Sequence, residues 1–268
     1  MLNKIRHLAL DMDGTIYKGK KLFSYTLKAL DILNSCGVSY TYLTNNSSLS
    51  TKDYIVKIND LGLPGGAENL YTSSHAALTY IRGNHPEFCA VYLLGTESLK
   101  TEFREFGYRI VDDCEEPDCV VVAFDTDMSY TSLCKSAWWV KHGKPYFTTH
   151  PDKICPTDLP TVLIDCGAVS DCIASATGRQ PDKVFGKPDP SMIKGIMETR
   201  GLKPHEIAMV GDRLYTDIEM ARRAGVIGIL VLSGEATRDD LQASRLDPEF
   251  VVEHILELAE KICRATSK

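Results

Sequence analysis

Apolar runs alternate with amphipathic stretches along most of the chain. Residues 7–13, HLALDMD, form a short apolar run that ends in acid, which is typical of a strand buried on both faces. Residues 24–37 then space leucines at helical intervals and end at a glycine. Residues 38–46 and 206–212 repeat the first pattern, an apolar run that stops at polar or acidic residues. Strands that alternate with helices predict an α/β fold with a doubly wound, Rossmann-like parallel sheet.

The composition changes at residues 63–74, LPGGAENLYTSS, where the chain becomes rich in glycine and polar residues. A second series of predicted strands and helices follows, and the first pattern resumes at the helical stretch 190–202. We therefore expect a discontinuous core of residues 1–71 and 183–268. The intervening residues 72–182 are expected to form an inserted α/β domain.

Composition and charge exclude several classes of protein. The 268 residues are 44% hydrophobic and 25% charged, with a formal net charge of −6, which argues against a nucleic-acid partner and a membrane-binding face. No apolar run approaches the roughly 20 residues that span a bilayer. The nine cysteines include no C-x-x-C pair. This spacing favours reduced thiols in a cytoplasmic protein over a disulfide framework or a zinc site.

Polar side chains follow three of the predicted strands. Asp11 and Asp13 end the first strand, residues 44–46 (TNN) end the second, and Asp212 ends a later one. Because the carboxyl ends of parallel strands meet at one edge, these groups and Lys187, in a Gly-Lys-Pro turn, could converge on one crevice. Clustered carboxylates repel unless a cation joins them, and oxygen ligands favour Mg²⁺. The lysine, the threonine hydroxyl and backbone N–H groups suit a phosphate.

Four motifs carry a more specific resemblance. DMDGTIYKG (11–19), LTNNSS (43–48), FGKPDP (185–190) and VGDRLYTDI (210–218) occur in this order in the sequence. Together they resemble the haloacid dehalogenase-like superfamily of phosphohydrolases, in its NagD-like or p-nitrophenylphosphatase-like branch. The resemblance covers both core segments and implies that the insertion is a large α/β cap. It implies a Mg²⁺-dependent phosphatase that hydrolyses small phosphomonoesters through an aspartyl-phosphate.

The resemblance also implies a role for each catalytic residue. Asp11 would be the nucleophile that attacks phosphorus. Asp13 would protonate the leaving oxygen and then activate water. Thr44 and the Asn45 N–H would hold phosphoryl oxygens, and Lys187 would offset the charge of the phosphate and the nucleophile.

The magnesium ligands follow from the same resemblance. They would be the Asp11 carboxylate, the Asp13 backbone carbonyl and the Asp212 carboxylate. Asp217 would support these ligands from behind. Taken alone, each motif has a simpler interpretation: a turn at Asp11 and Asp13, helix capping at residues 44–46 and at Asp217, and a solvated turn lysine.

Other expectations concern the partners of the chain and residues outside these motifs. The partner is a small phosphorylated metabolite, such as a nucleotide or a sugar phosphate, and the resemblance allows a homodimer. His150 is expected on a surface loop, and the DTD sequence at 125–127 on a loop of the inserted domain. Two alternatives stay open: a phosphotransferase or mutase of the same superfamily, and a non-catalytic protein that binds phosphorylated metabolites.

Overall fold

A computed structural model describes residues 1–19, 21–112, 115–157 and 159–266. The strands are β1 (His7–Asp11), β2 (Tyr17–Lys18), β3 (Lys21–Leu22), β4 (Ser39–Thr44), β5 (Leu70–Thr72), β6 (Ala90–Leu94), β7 (Arg109–Ile110), β8 (Cys119–Val122), β9 (Tyr146–Thr148), β10 (Ile154–Cys155), β11 (Leu163–Ile164), β12 (Lys183–Val184), β13 (Ile207–Gly211), β14 (Ile227–Val231) and β15 (Phe250–Val252). The helices are α1 (Thr26–Ser35), α2 (Thr51–Asp60), α3 (Ser73–Asn84), α4 (Glu97–Glu105), α5 (Tyr130–Lys141), α6 (Cys166–Thr177), α7 (Ser191–Arg200), α8 (Glu219–Ala224), α9 (Arg238–Ala243) and α10 (Ile255–Thr266).

The chain divides into two compact units. The first unit comprises Met1–Thr44, Lys57–Tyr71 and Lys187–Lys268, and the second comprises Asn45–Val56 and Thr72–Gly186. One of the divisions falls inside α2, between Val56 and Lys57.

A six-stranded sheet forms the centre of the first unit, in the order β15-β14-β13-β1-β4-β5. The pairs that join β15, β14, β13, β1 and β4 are parallel. Every residue of β1, β13 and β14 is buried, as expected for strands that are covered on both faces. The predicted α/β architecture with a mostly parallel sheet is confirmed.

A second parallel sheet lies in the second unit, in the order β12-β9-β8-β6-β7. The apolar runs of β6 and β8 are entirely buried because helices cover both faces of the sheet. One cluster contains side chains of α3 and α4, and the other contains side chains of α5 and α6. A small antiparallel hairpin, β10–β11, lies in the proline-containing stretch 150–161 and the residues after it.

The structure corrects the expectation that the cysteines are reduced. A disulfide bond joins Cys36, directly after α1, to Cys263 in α10, with 5.6 Å between the two Cα atoms. The two residues are 227 positions apart, so local spacing carried no sign of the pair. Of the other cysteines, Cys114 lies outside the described residues, and the rest are free thiols. The cytoplasmic location stays a prediction.

Within the described part of the chain, no helix has the length and apolar composition that a membrane span requires. The stretch 214–225 is not one continuous α-helix, since it forms a π-helical turn at Leu214–Ile218 that is followed by the short α8. A π-helical turn inside or beside an α-helix is a frequent feature of functional sites. Here it contains Asp217.

Candidate active site

Asp11 and Asp212 follow from the topology of the first sheet. Asp11 is the last residue of β1, and Asp212 directly follows β13, the parallel neighbour of β1. The chain leaves β1 towards β4 on one side and leaves β13 towards β14 on the other. The order of strands therefore reverses between β1 and β13, which is where open α/β sheets form their binding crevice.

Lys187 lies between two of the carboxylates. Its Nζ forms ion pairs with Oδ1 of Asp11 and, at 2.7 Å, with Oδ1 of Asp217. The lysine side chain is only 5% exposed. Burial by itself would lower the pKa of Lys187, but the Asp11 and Asp217 carboxylates raise it above its usual value. The residue is therefore a fixed positive charge at the end of β1.

Burial is the largest influence on the pKa values of Asp11 and Asp212. It raises the pKa of Asp11 well above its usual value, and the charge of Lys187 acts in the opposite direction. Burial and the nearby Asp217 carboxylate raise the pKa of Asp212 to about 6, although the Glu235 N–H stabilises the ionised form. Three buried acids with one ammonium thus leave negative charge that a bound cation would stabilise.

The carboxylates of Asp212 and Asp217 are oriented by backbone groups. Oδ2 of Asp212 accepts a hydrogen bond from the Glu235 N–H at 2.7 Å, and Oδ2 of Asp217 accepts one from the Arg213 N–H at 3.0 Å. Oδ1 of Asp212 is buried and has no hydrogen-bond partner among the described residues. A buried carboxylate oxygen without a partner is costly, unless an ion or water binds it.

Glycines allow the backbone to approach these carboxylates closely. A Cβ at Gly234 would lie 1.9 Å from Oδ2 of Asp212, and a Cβ at Gly14 would lie 2.3 Å from the same atom. Gly14 also has a φ of +86°, which only glycine adopts easily. A Cβ at Gly211 would lie 2.2 Å from Cγ of Asp217. The cluster therefore depends on glycine at these positions.

The carboxylate cluster fits a divalent metal. One oxygen each from Asp11, Asp212 and Asp217 lies within 4.8 Å of the others, and all three residues are buried. Carboxylate oxygens are preferred ligands of Mg²⁺, which also keeps several waters. The partnerless oxygen of Asp212 is the atom that such an ion would satisfy first.

The structure places the other predicted residues as follows. Asp13 is partly buried and forms a β-bridge with Tyr17 in the turn after β1. Thr44 is buried at the end of β4, one residue beyond Leu43, which pairs with Asp11 in the sheet. Asn45 follows Thr44 in the chain and begins the second unit.

Sequence reasoning missed several contributors to the cluster. The Thr15 hydroxyl donates to Oδ2 of Asp11 at 3.4 Å, and the Ser233 hydroxyl donates to the Gly14 carbonyl at 2.7 Å. Residues 233–236 thus hold Gly14 and, through the Glu235 N–H, Asp212. Gly234 was the only signal in the sequence. The other residues of SGEA (233–236) do not indicate a contact with a carboxylate.

The interpretation of His150 as a surface histidine is wrong. The side chain is completely buried in the second unit, and its Nε2 lies 2.8 Å from Oδ1 of Asp165. The neighbouring proline and aspartate suggested a loop, but β9 ends only two residues earlier and its end is covered.

Comparisons with known proteins identify the family. Residues 8–109 match the model of the haloacid dehalogenase-like hydrolases, and residues 184–258 match a second, HAD-hydrolase-like model. An acid sugar phosphatase from Staphylococcus epidermidis is 31% identical over 241 residues, which are 90% of this chain and 92% of that protein.

Solved structures give the same result. A 4-nitrophenylphosphatase from Thermotoga maritima has a TM-score of 0.92 and 37% identity, over 97% of this chain and 98% of that one. NagD from Escherichia coli K-12 has a TM-score of 0.85 and 27% identity, over 94% and 98% of the chains. A glycerol phosphate phosphatase from Mycobacterium tuberculosis, in complex with magnesium, has a TM-score of 0.88 and 26% identity, over 97% and 78%.

These likenesses confirm the predicted hydrolase family, and they extend over both units of the fold. The chain therefore belongs to the haloacid dehalogenase-like hydrolases, in the branch of NagD and the p-nitrophenylphosphatases.

Proposed function

We propose that this protein is a Mg²⁺-dependent phosphatase that hydrolyses small phosphomonoesters through an aspartyl-phosphate on Asp11. The observation that carries the proposal is the ion pair of buried Lys187 with Asp11, beside the buried carboxylates of Asp212 and Asp217. A carboxylate nucleophile, a fixed cation and a candidate metal site at one strand end are the parts that phosphoryl transfer needs.

In the first step, an Asp11 oxygen attacks phosphorus and the bond to the leaving oxygen breaks. Only the ionised carboxylate is a nucleophile, and the positive charge of Lys187 favours this form of Asp11, in opposition to burial. Asp13 donates its proton to the leaving oxygen, so that the alcohol departs as a neutral molecule.

In the second step, water attacks the phosphorus of the aspartyl-phosphate and the bond to Asp11 breaks. Asp13, now ionised, accepts the proton of the water, and inorganic phosphate and the free Asp11 carboxylate result. The two-residue offset of Asp11 and Asp13 places both at the end of one strand. Each is therefore assigned a separate task, nucleophile and acid–base.

Thr44, Asn45 and Lys187 are proposed to bind the phosphoryl group. Thr44 would donate from its hydroxyl and Asn45 from its backbone N–H, while the ammonium of Lys187 offsets the negative charge of the oxygens. Lys187 holds this charge at any pH near neutrality because its pKa is raised.

Asp11, Asp212 and the Asp13 backbone carbonyl are proposed to hold Mg²⁺. When bound, the ion neutralises charge between the nucleophile and the phosphoryl oxygens. Both oxygens of Asp217 are engaged, one by Lys187 and one by the Arg213 N–H, so we assign Asp217 to the positioning of Lys187. The magnesium in the related glycerol phosphate phosphatase supports this choice of metal.

The two domains predicted from the sequence are proposed to have separate roles. Residues 1–71 and 183–268 would form the catalytic core, and residues 72–182 the cap that selects the substrate. The resemblance implies small substrates, because a large cap in this branch would keep bulk water from the reacting groups. The names of the relatives direct the choice of substrates to sugar phosphates, glycerol phosphate and p-nitrophenyl phosphate.

The test is phosphate release from this panel of phosphomonoesters, with Mg²⁺ and with EDTA. We expect Mg²⁺-dependent release that Asp11→Asn abolishes, while its circular dichroism spectrum stays that of the wild type. Glu219→Gln is a matched control, because Glu219 is an acid on α8 that pairs only with Arg222 and Arg223 among the described residues. Activity of Asp11→Asn at the wild-type level would refute the mechanism. Folded wild-type protein without release would favour a phosphotransferase or a binding protein.

A further inference from the structure

His150 is a buried histidine in the second unit that the mechanism above does not use. Its Nε2 lies 2.8 Å from Oδ1 of Asp165, and both side chains are almost inaccessible to solvent, at 0% and 4%. Asp165 is also the N-cap of α6, since its Oδ1 accepts the Cys166 N–H. The His150 ring is therefore held at the start of α6.

The opposite side of the ring faces two hydroxyls. Nδ1 of His150 lies 3.1 Å from Oγ1 of Thr149 and 3.4 Å from Oγ of Ser47. The two hydroxyl oxygens lie 2.9 Å apart, and the Ser47 oxygen also accepts the Phe124 N–H. His150 thus joins the segment that begins at Asn45 to the ends of β8 and β9.

Asn45 is fixed by two residues of the second unit. Its side-chain amide donates to Oδ2 of Asp152 at 3.1 Å, and its carbonyl accepts the Ser73 hydroxyl at 2.6 Å. Asn45 is itself buried. The residue whose N–H is proposed to bind phosphate is therefore held from both its side chain and its backbone, within the same cluster.

Gly186 packs against the same two residues. Its φ is +71°, and a Cβ added there would lie 2.7 Å from Cβ of His150 and 2.8 Å from Oδ1 of Asn45. Gly186 directly precedes Lys187, just as Asn45 directly follows Thr44. The two chain segments that lead into the proposed phosphate ligands are therefore both packed on His150.

His150, Asp152 and Asp165 are also close enough to share a metal ion. However, each of the three already has a hydrogen-bond partner within the described chain, and none of their buried oxygen or nitrogen atoms is orphaned. The cluster is complete as a hydrogen-bonded network, which favours a positioning role over a second metal site.

We propose that His150, held by Asp165, is a positioning residue that fixes the segment at Asn45 for phosphate binding. This inference rests on the proposed function. Loss of the imidazole would remove the Nδ1 contact of Ser47 and free the segment at Asn45, whereas Gly186 would still pack on the Cβ that alanine retains. Phosphate binding would weaken because the Asn45 N–H is no longer preorganised. The effect should appear mainly in the KM and in the inhibition constant of inorganic phosphate, and less in kcat.

The test compares His150→Ala with His7→Ala. His7, the first residue of β1, is a matched control because it is as buried as His150. Its ring nitrogens form hydrogen bonds with the hydroxyls of Ser39 and Thr41 in β4. With p-nitrophenyl phosphate and Mg²⁺, we expect His150→Ala to raise both constants by about tenfold or more. His7→Ala should leave both constants within about twofold of the wild type, because a loss of general stability does not alter the site.

A second pair of variants tests the contact between His150 and Asp165 if His150→Ala does not fold. Asp165→Ala removes the partner of Nε2, while Asp165→Asn retains an acceptor for it. We expect Asp165→Ala to raise the KM and Asp165→Asn to restore most of the loss. Equal constants for His150→Ala and His7→Ala, or for the two Asp165 variants, would overturn the positioning role.

Calorimetric titration of inorganic phosphate, with Mg²⁺ present, separates this failure from failure of the proposed function. A wild-type protein that hydrolyses nothing refutes the phosphatase. The positioning role would then be decided by whether His150→Ala binds phosphate more weakly than His7→Ala. Equal phosphate affinity in the two variants would refute it.

Discussion

Replacement of Lys187 by methionine tests the buried charge cluster. Methionine retains an unbranched side chain but removes the ammonium that pairs with Asp11 and Asp217. All three residues are buried, so water cannot replace the lost partner. Removal of one partner from a buried ion pair costs about 3–5 kcal/mol. We expect Lys187→Met to lower the free energy of unfolding by about this amount at pH 8 without Mg²⁺.

The loss should depend on pH in a defined direction. The wild-type lysine stays charged between pH 5 and 8, because its pKa is raised. In the variant, the pKa of Asp11 and of Asp212, already raised by burial, rises further. An acid whose pKa is higher in the folded state binds its proton more tightly there than in the unfolded state. The free energy of unfolding therefore falls as the pH rises from the unfolded-state pKa to the folded-state pKa. The destabilisation should therefore be smaller at pH 5 than at pH 8, by at most about 1.4 kcal/mol per pH unit for each group.

Urea unfolding in EDTA, followed by far-UV circular dichroism, measures both effects. Lys153→Met is the control, since Lys153 pairs with Asp171 while their side chains are 57% and 64% exposed. Exposed pairs contribute about 0–1 kcal/mol, and this variant should show little dependence on pH. The reasoning fails if Lys187→Met is no less stable than Lys153→Met at pH 8, or if its destabilisation is equal at pH 5 and pH 8.

Three further predictions concern other parts of the molecule. Burial and then the positive charge of Arg200 lower the pKa of His7 to about 3, so only the unfolded state takes up this proton below about pH 6.5. The free energy of unfolding of the wild type should therefore fall by up to about 1.4 kcal/mol per pH unit between pH 6.5 and 5. In urea titrations over this range, the free energy of unfolding of His7→Gln should depend less steeply on pH. Gly234→Ala would force Oδ2 of Asp212 away, so the Mg²⁺ concentration for half-maximal activity should rise by about tenfold or more, and an unchanged value would refute the role of this glycine. Gly83→Ala, in α3 with open space around it, should raise the free energy of unfolding by about 0.5–1 kcal/mol in urea titrations, while a loss would contradict the helix assignment.

The strands and their acidic ends could be predicted because the information is local. The apolar runs of β1 and β13 are continuous, and the residues that follow them, Asp11 and Asp212, interrupt these runs abruptly. The parallel topology then brings the two acids to one edge without any further information.

Lys187 and His150 show where local reasoning ends. By itself, the turn around Lys187 is typical of a solvated lysine, and its assignment to the phosphate depended on the acidic strand ends and on the resemblance to a family. Its pairing with Asp217 depends on the π-helical turn at Leu214–Ile218, which periodicity alone does not distinguish from a helix. His150 is buried because residues 45–47 cover the ends of β8 and β9, a contact between segments about 100 positions apart.

The helix α3 and the disulfide were missed for related reasons. Glycines and polar residues between positions 63 and 74 indicated a domain boundary over the whole stretch. The helix that begins at Ser73 was therefore not predicted. Its N-cap, Thr72, lies inside the polar stretch that indicated a boundary between domains. The Cys36–Cys263 bond requires α1 and α10 to be adjacent, and this packing is a property of the whole first unit.

The position of β1 in the sheet has a consequence for the order in which the protein can fold during synthesis. One edge of β1 pairs with β4, but the other edge cannot form hydrogen bonds with β13 until Ile207–Gly211 have been synthesised. The whole second unit, up to Gly186, leaves the ribosome earlier. Asp11 is thus made well before its partners Lys187 and Asp212. A nascent chain arrested when residue 190 has just left the ribosome should therefore protect the second unit from protease while β1 offers an open edge, which is the state in which chaperones are most needed.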